Sequence, residues 1–260
     1  MDLRLSGKVA LIFGGSKGIG LATADILAAE GAQLALAATR PDSFAALPPA
    51  LAAPSVLRLA ADLTAAGEAE RAVQTVLEHF GRIDILVISA GAAQGGVFWE
   101  LDDASWDAAL ALKLMGTVRA LRAVAPVMRE QGAGRIVVVV GNAGKQPNKR
   151  MLPGAAANAA CLAVVRGLAE ELAPAGVQVN AVNPGPTRTG RWTAQMAGLA
   201  AASGRSAEAV EDEFRATIPL GRLSEPEDVA RLIAVLASEV SGTTTGTSLT
   251  IDGGMTKAIA

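Results

Sequence analysis

Gly14, Gly18 and Gly20 follow an apolar run of strand length in Lys8-Val-Ala-Leu-Ile-Phe-Gly-Gly-Ser-Lys-Gly-Ile-Gly20, and a helical pattern starts directly behind them. Glycines at such a junction let the backbone turn tightly and approach a pyrophosphate seated on the N-terminus of the next helix. The chemistry implied is dinucleotide binding, with Ser16, Lys17 and Ile19 in the same turn. The next strand, 33 to 38, runs into Ala38-Thr39-Arg40, at the position where an acidic side chain would bind ribose hydroxyls and repel a 2'-phosphate. No acid stands there. Arg40 and Lys17 place two cations around that ribose instead, beside Thr39. This favours NADP(H) over NAD(H), because a phosphate carrying nearly two charges gains from paired Arg and Lys. A solvated Arg40 in a surface loop is the competing reading.

These residues need a frame to hold them. Residues 19 to 30 space Leu and Ile at helical intervals and stop at Gly31, a helix C-terminal signal. Further strands are expected at 56 to 61, 83 to 88, 134 to 141 and 177 to 182, with a seventh in the closing segment. Helices are expected at 65 to 80, 102 to 128 and 154 to 173, with two more helical stretches between 190 and 218. Residues 41 to 54, rich in Ala and Pro, read as a surface loop with one helical turn, and 142 to 153 as irregular. Strands alternating with helices predict an α/β, Rossmann-type doubly wound fold: one domain over 1 to 260, a seven-stranded parallel sheet with helices on both faces. In the insertion at 190 to 216, Trp192, Met196, Leu199 and Phe214 suit a lid over substrate, or a helix pair packed for stability.

Composition narrows the partners. A net charge of -2 with dispersed Lys and Arg offers no basic face for nucleic acid, so small molecules are the expected ligands. Cys161 is the only cysteine and His79 the only histidine, which leaves no disulfide, no expected metal site and no Ser-His-Asp or Cys-His catalysis. His79, before Phe80-Gly81-Arg82, reads as a helix end. Asp2, Arg4 and Lys8 do not suit a signal peptide, and no apolar run is expected to reach the roughly 20 residues of a membrane span. A cytoplasmic protein is the expectation. The chain contains no tyrosine.

The Gly-x-x-x-Gly-x-Gly spacing resembles the glycine motif of the short-chain dehydrogenase/reductase family, with Phe13 where that family usually has Thr. The resemblance extends from Leu5 to Gly254. It implies that Asp62, followed by Leu63, binds adenine, and that Ser89-Ala90-Gly91 stands for the family's Asn-Ala-Gly beside the ribose. Pro184, Gly185 and Thr189, with Thr187 between them, match the Pro-Gly-x-x-x-Thr element that lies against nicotinamide and diphosphate. It also implies a homo-oligomer that packs the helices at 102 to 128 and 154 to 173 across subunits.

Family members move a hydride between nicotinamide and a carbonyl or alcohol carbon, with an Asn-Ser-Tyr-Lys tetrad handling the proton. Alignment with the family's pattern puts Lys113 at the Asn, Gly141 at the Ser, Gly154 at the Tyr and Asn158 at the Lys. All four depart from it. Lys113 and Asn158 look like an exchange of ammonium and amide, and are expected to touch. A desolvated Lys113 could donate the proton itself; Lys145 is a second candidate, with Asn142 as an oxygen ligand. Three readings follow: an NADP(H)-dependent oxidoreductase with non-standard catalytic groups, a catalytically dead NADP(H)-binding relative or partner subunit, and a non-redox isomerase or cyclase in the same cleft.

Overall fold

The computed structural model describes residues 2–91 and 95–258. Seven strands, β1 (Val9–Phe13), β2 (Gln33–Ala38), β3 (Leu57–Ala60), β4 (Ile85–Ile88), β5 (Gly134–Val139), β6 (Val177–Pro184) and β7 (Ser248–Ile251), form one sheet in the order β3-β2-β1-β4-β5-β6-β7. Every neighbouring pair is parallel. The order reverses between β1 and β4, so a crevice opens where their carboxyl ends diverge.

Both faces of the sheet are covered, and the two-residue period of a strand decides what goes where. Val9, Leu11 and Phe13 face a layer made by α2 (Glu68–Phe80), α4 (Gly116–Gln131) and α5 (Leu152–Leu172). Ala10 and Ile12 face α1 (Gly18–Ala29) and α8 (Pro226–Leu236). Strands buried on both sides must be apolar at every position, which is why they read as continuous runs. The second strand has the expected bounds, β3, β4 and β5 are shorter than expected because their apolar runs extend beyond the ladder, and β6 runs two residues further, to Pro184.

Two expectations fail. The single helix expected at 102 to 128 is α3 (Asp103–Ala109), a π-helical stretch Leu110–Met115, and α4. Asp102 caps its start, its side chain accepting from the Ser105 N–H. The segment Leu152–Ala175 is also long and apolar enough by length and composition to cross a membrane, contrary to the expectation of no such run. Here it is a core helix of the domain: Cys161, Val165 and Ala169 are buried against the sheet. Alanine and glycine extend its apolar length without bulk.

The glycine turn is set by backbone contact. Gly14 has φ +80°, and a Cβ there would stand 2.8 Å from the Ala90 nitrogen at the end of β4. A Cβ on Gly20 would run into the Gly14 carbonyl oxygen. Neither obstacle is a side chain that can swing away. Gly20→Ala is therefore expected to destabilise the fold by about 1–3 kcal/mol, as overpacking does, and to lower the melting temperature by roughly 2–4 °C per kcal/mol. Thermal unfolding followed by circular dichroism checks this.

Candidate active site

The glycine turn, the end of β4 and the end of β6 converge. Gly18 has φ +55°, and a Cβ on it would lie 3.3 Å from Thr189 Cγ2. Gly185 donates its N–H to the Ile251 carbonyl at 3.0 Å, and a Cβ on it would meet Asp252. Thr187 is buried, with Oγ1 donating to the Gly185 carbonyl at 3.0 Å. Thr189 caps α6 (Gly190–Ser203) by accepting from the Trp192 N–H. Gly14 thus packs on the end of β4, Gly20 on Gly14 and Gly18 on Thr189, so the glycine turn, the segment 89 to 91 and the segment after β6 meet at bare backbone. That bare-backbone cradle, opening on the N-terminus of α1, fits a dinucleotide pyrophosphate.

Around its outer end, Lys17 is exposed at the N-cap of α1 and makes no side-chain capping bond. Arg40 and Thr39 are exposed, and Arg40 Nε pairs with Asp42 at 3.2 Å. An ion pair so open to water is weak and leaves Arg40 available. Asp62 accepts from the Thr64 N–H and hydroxyl at 2.9 and 2.8 Å, and Leu63 beside it is buried.

Lys113 sits inside the π-helical stretch, and only 7% of its surface is exposed. Its Nζ donates to the Val139 carbonyl at 2.5 Å, at the end of β5. Its stem passes so close to Gly91 that a Cβ there would lie 3.1 Å from Cδ and 3.4 Å from Nζ. The wider π turn leaves the Lys113 carbonyl to other donors: Thr117 Oγ1 at 2.7 Å and the Cys161 thiol at 3.3 Å. Burial lowers the Lys113 pKa from 10.5 to about 8; the Cys161 thiol works against that and the Arg191 charge adds to it. Burial likewise pushes the Cys161 thiol up, with Lys113 pulling it down.

The expected contact between Lys113 and Asn158 takes another form. No hydrogen bond joins them among the described residues; the ammonium is held by Val139, two residues before Gly141. Asn158 Nδ2 lies 2.9 Å from where a Gly141 Cβ would stand. The amide fills the room a serine side chain would use, and Gly141, at φ +131°, has a backbone that favours glycine. Gly154 is buried in the first turn of α5. Lys145 is turned to the last strand, its Nζ donating to the Ser248 carbonyl at 2.7 Å. Asn142 Nδ2 donates to Asp252 Oδ2 at 3.3 Å. Asp252 also accepts from the Gly254 and Thr256 N–H groups, and these bonds hold its pKa down although burial opposes them.

Two apolar residues of the insertion are buried in the way a packed helix pair buries them. Trp192 and Met196 are buried between α6 and α7 (Ala207–Ala216), with Trp192 edge-on to Phe214 and its Nε1 donating to Glu211 at 2.9 Å. The pair has its own small core because two amphipathic helices bury their apolar stripes against each other before any ligand arrives. Arg191, which no motif in the sequence singles out, donates from Nη2 to the Gly91 carbonyl across the crevice. A signal for it existed: a cation in a helix's first turn opposes the macrodipole.

A buried lysine whose pKa is lowered binds its proton more weakly in the folded chain than in the unfolded one. Folding stability therefore rises with pH between about 8 and 10.5. Relative to Lys113→Met, the wild type is expected to gain stability across that interval, on the order of 2–3 kcal/mol in full. Urea unfolding of both proteins at several pH values measures it.

Comparison with known proteins agrees with this geometry. A family profile described as Enoyl-(Acyl carrier protein) reductase matches residues 14–256. The short-chain reductase protein NovJ of Streptomyces niveus is 37% identical, over 95% of this chain and 93% of its own. The 3-oxoacyl-(acyl-carrier-protein) reductase FabG of Thermotoga maritima is 32% identical, over 97% and 99%. Among solved structures, the L-sorbose reductase of Gluconobacter frateurii complexed with NADPH and L-sorbose superposes with a TM-score of 0.93 at 31% identity, over 100% of both chains. A point variant of the actinorhodin polyketide ketoreductase with NADPH gives 0.91 at 30% identity, over 97% and 98%. With the glycine cradle, the parallel sheet and these relatives in agreement, the chain belongs to the short-chain dehydrogenase/reductase family of NAD(P)-dependent oxidoreductases.

Proposed function

We propose that this protein is an NADP(H)-dependent carbonyl reductase in which Lys113 does the work of the missing tyrosine. The observation that carries the reading is the Lys113 ammonium itself: buried between the ends of β4 and β5, against Gly91, with a pKa of about 8. A general acid works best when its pKa lies near the operating pH.

Bound NADPH supplies a hydride to the carbonyl carbon. The oxygen left with the electron pair takes a proton from Lys113 Nζ, giving the alcohol and a neutral amine that water reprotonates. Asn158 Nδ2, in the place of the serine side chain, donates to the carbonyl oxygen and orients it. Gly154 leaves room above it, and Val139 holds the lysine in place. Lys145 and Asn142 brace the far wall through Ser248 and Asp252. Ser16, Ile19, Ser89 and Ala90 bound the crevice, Asp62 with Leu63 meets the adenine, and Lys17 with Thr39 and Arg40 takes the 2'-phosphate. The helices at 190 to 216 cover the substrate end, and the reaction runs in the cytoplasm.

NADPH is expected to bind at least about tenfold more tightly than NADH, a difference of about 1.4 kcal/mol, and nicotinamide fluorescence measures both. In a carbonyl screen, Lys113→Met is expected to lower kcat/KM by about 10²–10⁴ with NADPH affinity unchanged. For the wild type kcat/KM is level below pH about 8 and falls above it, as the ammonium loses its proton. Full activity in Lys113→Met, or equal affinity for NADH, refutes the assignment.

We also propose a homo-oligomer through α5. Ala156, Ala159, Ala163 and Gly167 are exposed at helical spacing, and a Cβ on Gly167 would meet nothing within 4 Å. Such a flat strip admits a second helix closely. Ala163→Arg is expected to reduce the mass seen by light scattering to that of a smaller assembly.

A further inference from the structure

Two cations meet at Gly91, and no carboxylate among the described residues pairs with either. Arg191 reaches the Gly91 carbonyl from one side, and the Lys113 stem presses on the same glycine from the other. The neighbouring Arg188 shows what a structural arginine does here: it pairs with Glu211 at 2.9 Å and Glu225 at 3.2 Å. Residues 92 to 94, beyond Gly91, are Ala, Ala and Gln and bring no acid. Arg191 also stands in the first turn of α6, a turn that contains no acidic residue, so backbone N–H groups add to the positive field.

Two cations this close repel each other, and an anion bound beside the more exposed one, Arg191, relieves both. Arginine's planar fork suits a carboxylate better than a lone ammonium does. We propose that the crevice takes a carbonyl compound that also bears a carboxylate, gripped by the Arg191 guanidinium with the Lys113 ammonium behind it. The carbonyl half of this statement rests on the reductase reading; the anion site does not. The glycine turn at Gly14 to Gly20 packs on the same end of β4 that carries Gly91, so the cofactor's diphosphate is the other anion to be told apart from the substrate's. The influence of Arg191 on the Lys113 pKa is the same proximity seen electrostatically. A carboxylate on Arg191 would cancel that influence and leave the ammonium better protonated.

The test uses the full chain saturated with NADP, with levulinate and benzoylformate as probes, each beside its methyl ester. Calorimetry reads binding, which needs no turnover. The acids are expected to bind roughly 10- to 100-fold more tightly than the esters, the range for a charged hydrogen-bonded pair. Arg191→Gln is expected to erase that difference while NADP affinity stays the same. Acid and ester binding alike, or neither binding, overturns the proposal. A large loss of NADP affinity in Arg191→Gln overturns it too, by assigning the arginine to the diphosphate. Acid-selective binding with no NADPH oxidation in the presence of the acids would keep the anion site and refute the reductase reading, so the two fail separately.

Discussion

Much of this structure depends on backbone touching backbone where β1 becomes α1. Gly14 approaches Ala90 and Gly20 approaches Gly14 at distances that admit no side chain. Those contacts tie the first βα unit to the end of β4 across the point where strand order reverses. The glycine turn and the end of β4 are two sides of one close approach. The positive φ values of Gly14 and Gly18 show the turn bending into a conformation that L side chains resist.

A second constraint is electrostatic. Burying an ammonium is unfavourable, and this chain does it with one backbone carbonyl as the acceptor for Lys113. Three local features make room for it. The π stretch turns the Lys113 carbonyl toward Thr117 and Cys161, Gly91 lacks the Cβ that would block the stem, and Val139 accepts at the end of β5. With no carboxylate among the described residues paired to it, the ammonium holds its proton less tightly than an exposed lysine does.

The helices beyond β6 add a smaller, separate core. Trp192, Met196 and Phe214 pack among themselves and leave the polar edge of α6, with Arg191, toward the crevice. Arg188 is neutralised by two glutamates and Arg191 by none among the described residues. Side-chain bulk decides how α6 sits on α7, and charge decides what its first turn offers to the site.

The strand-and-helix alternation was legible in the sequence because a parallel strand buried on both faces must be apolar throughout, and because the helices announce their ends with Gly31 and Gly81. The glycine turn was legible for a similar local reason: its close backbone contacts require residues that lack side chains. The absence of tyrosine is equally a property of the sequence. What the one-dimensional chain could not show is which groups the packing brings together. Lys113 and Asn158 both lie at the end of β5, yet one meets Val139 and the other the void at Gly141, because the π stretch rotates the lysine by a fraction of a turn that no residue spacing records. Arg191 and Gly91 are 100 residues apart and meet only when α6 is folded back over the crevice. Residue type and period act locally and are written in order along the chain; burial, charge proximity and open space exist only once distant segments share a wall.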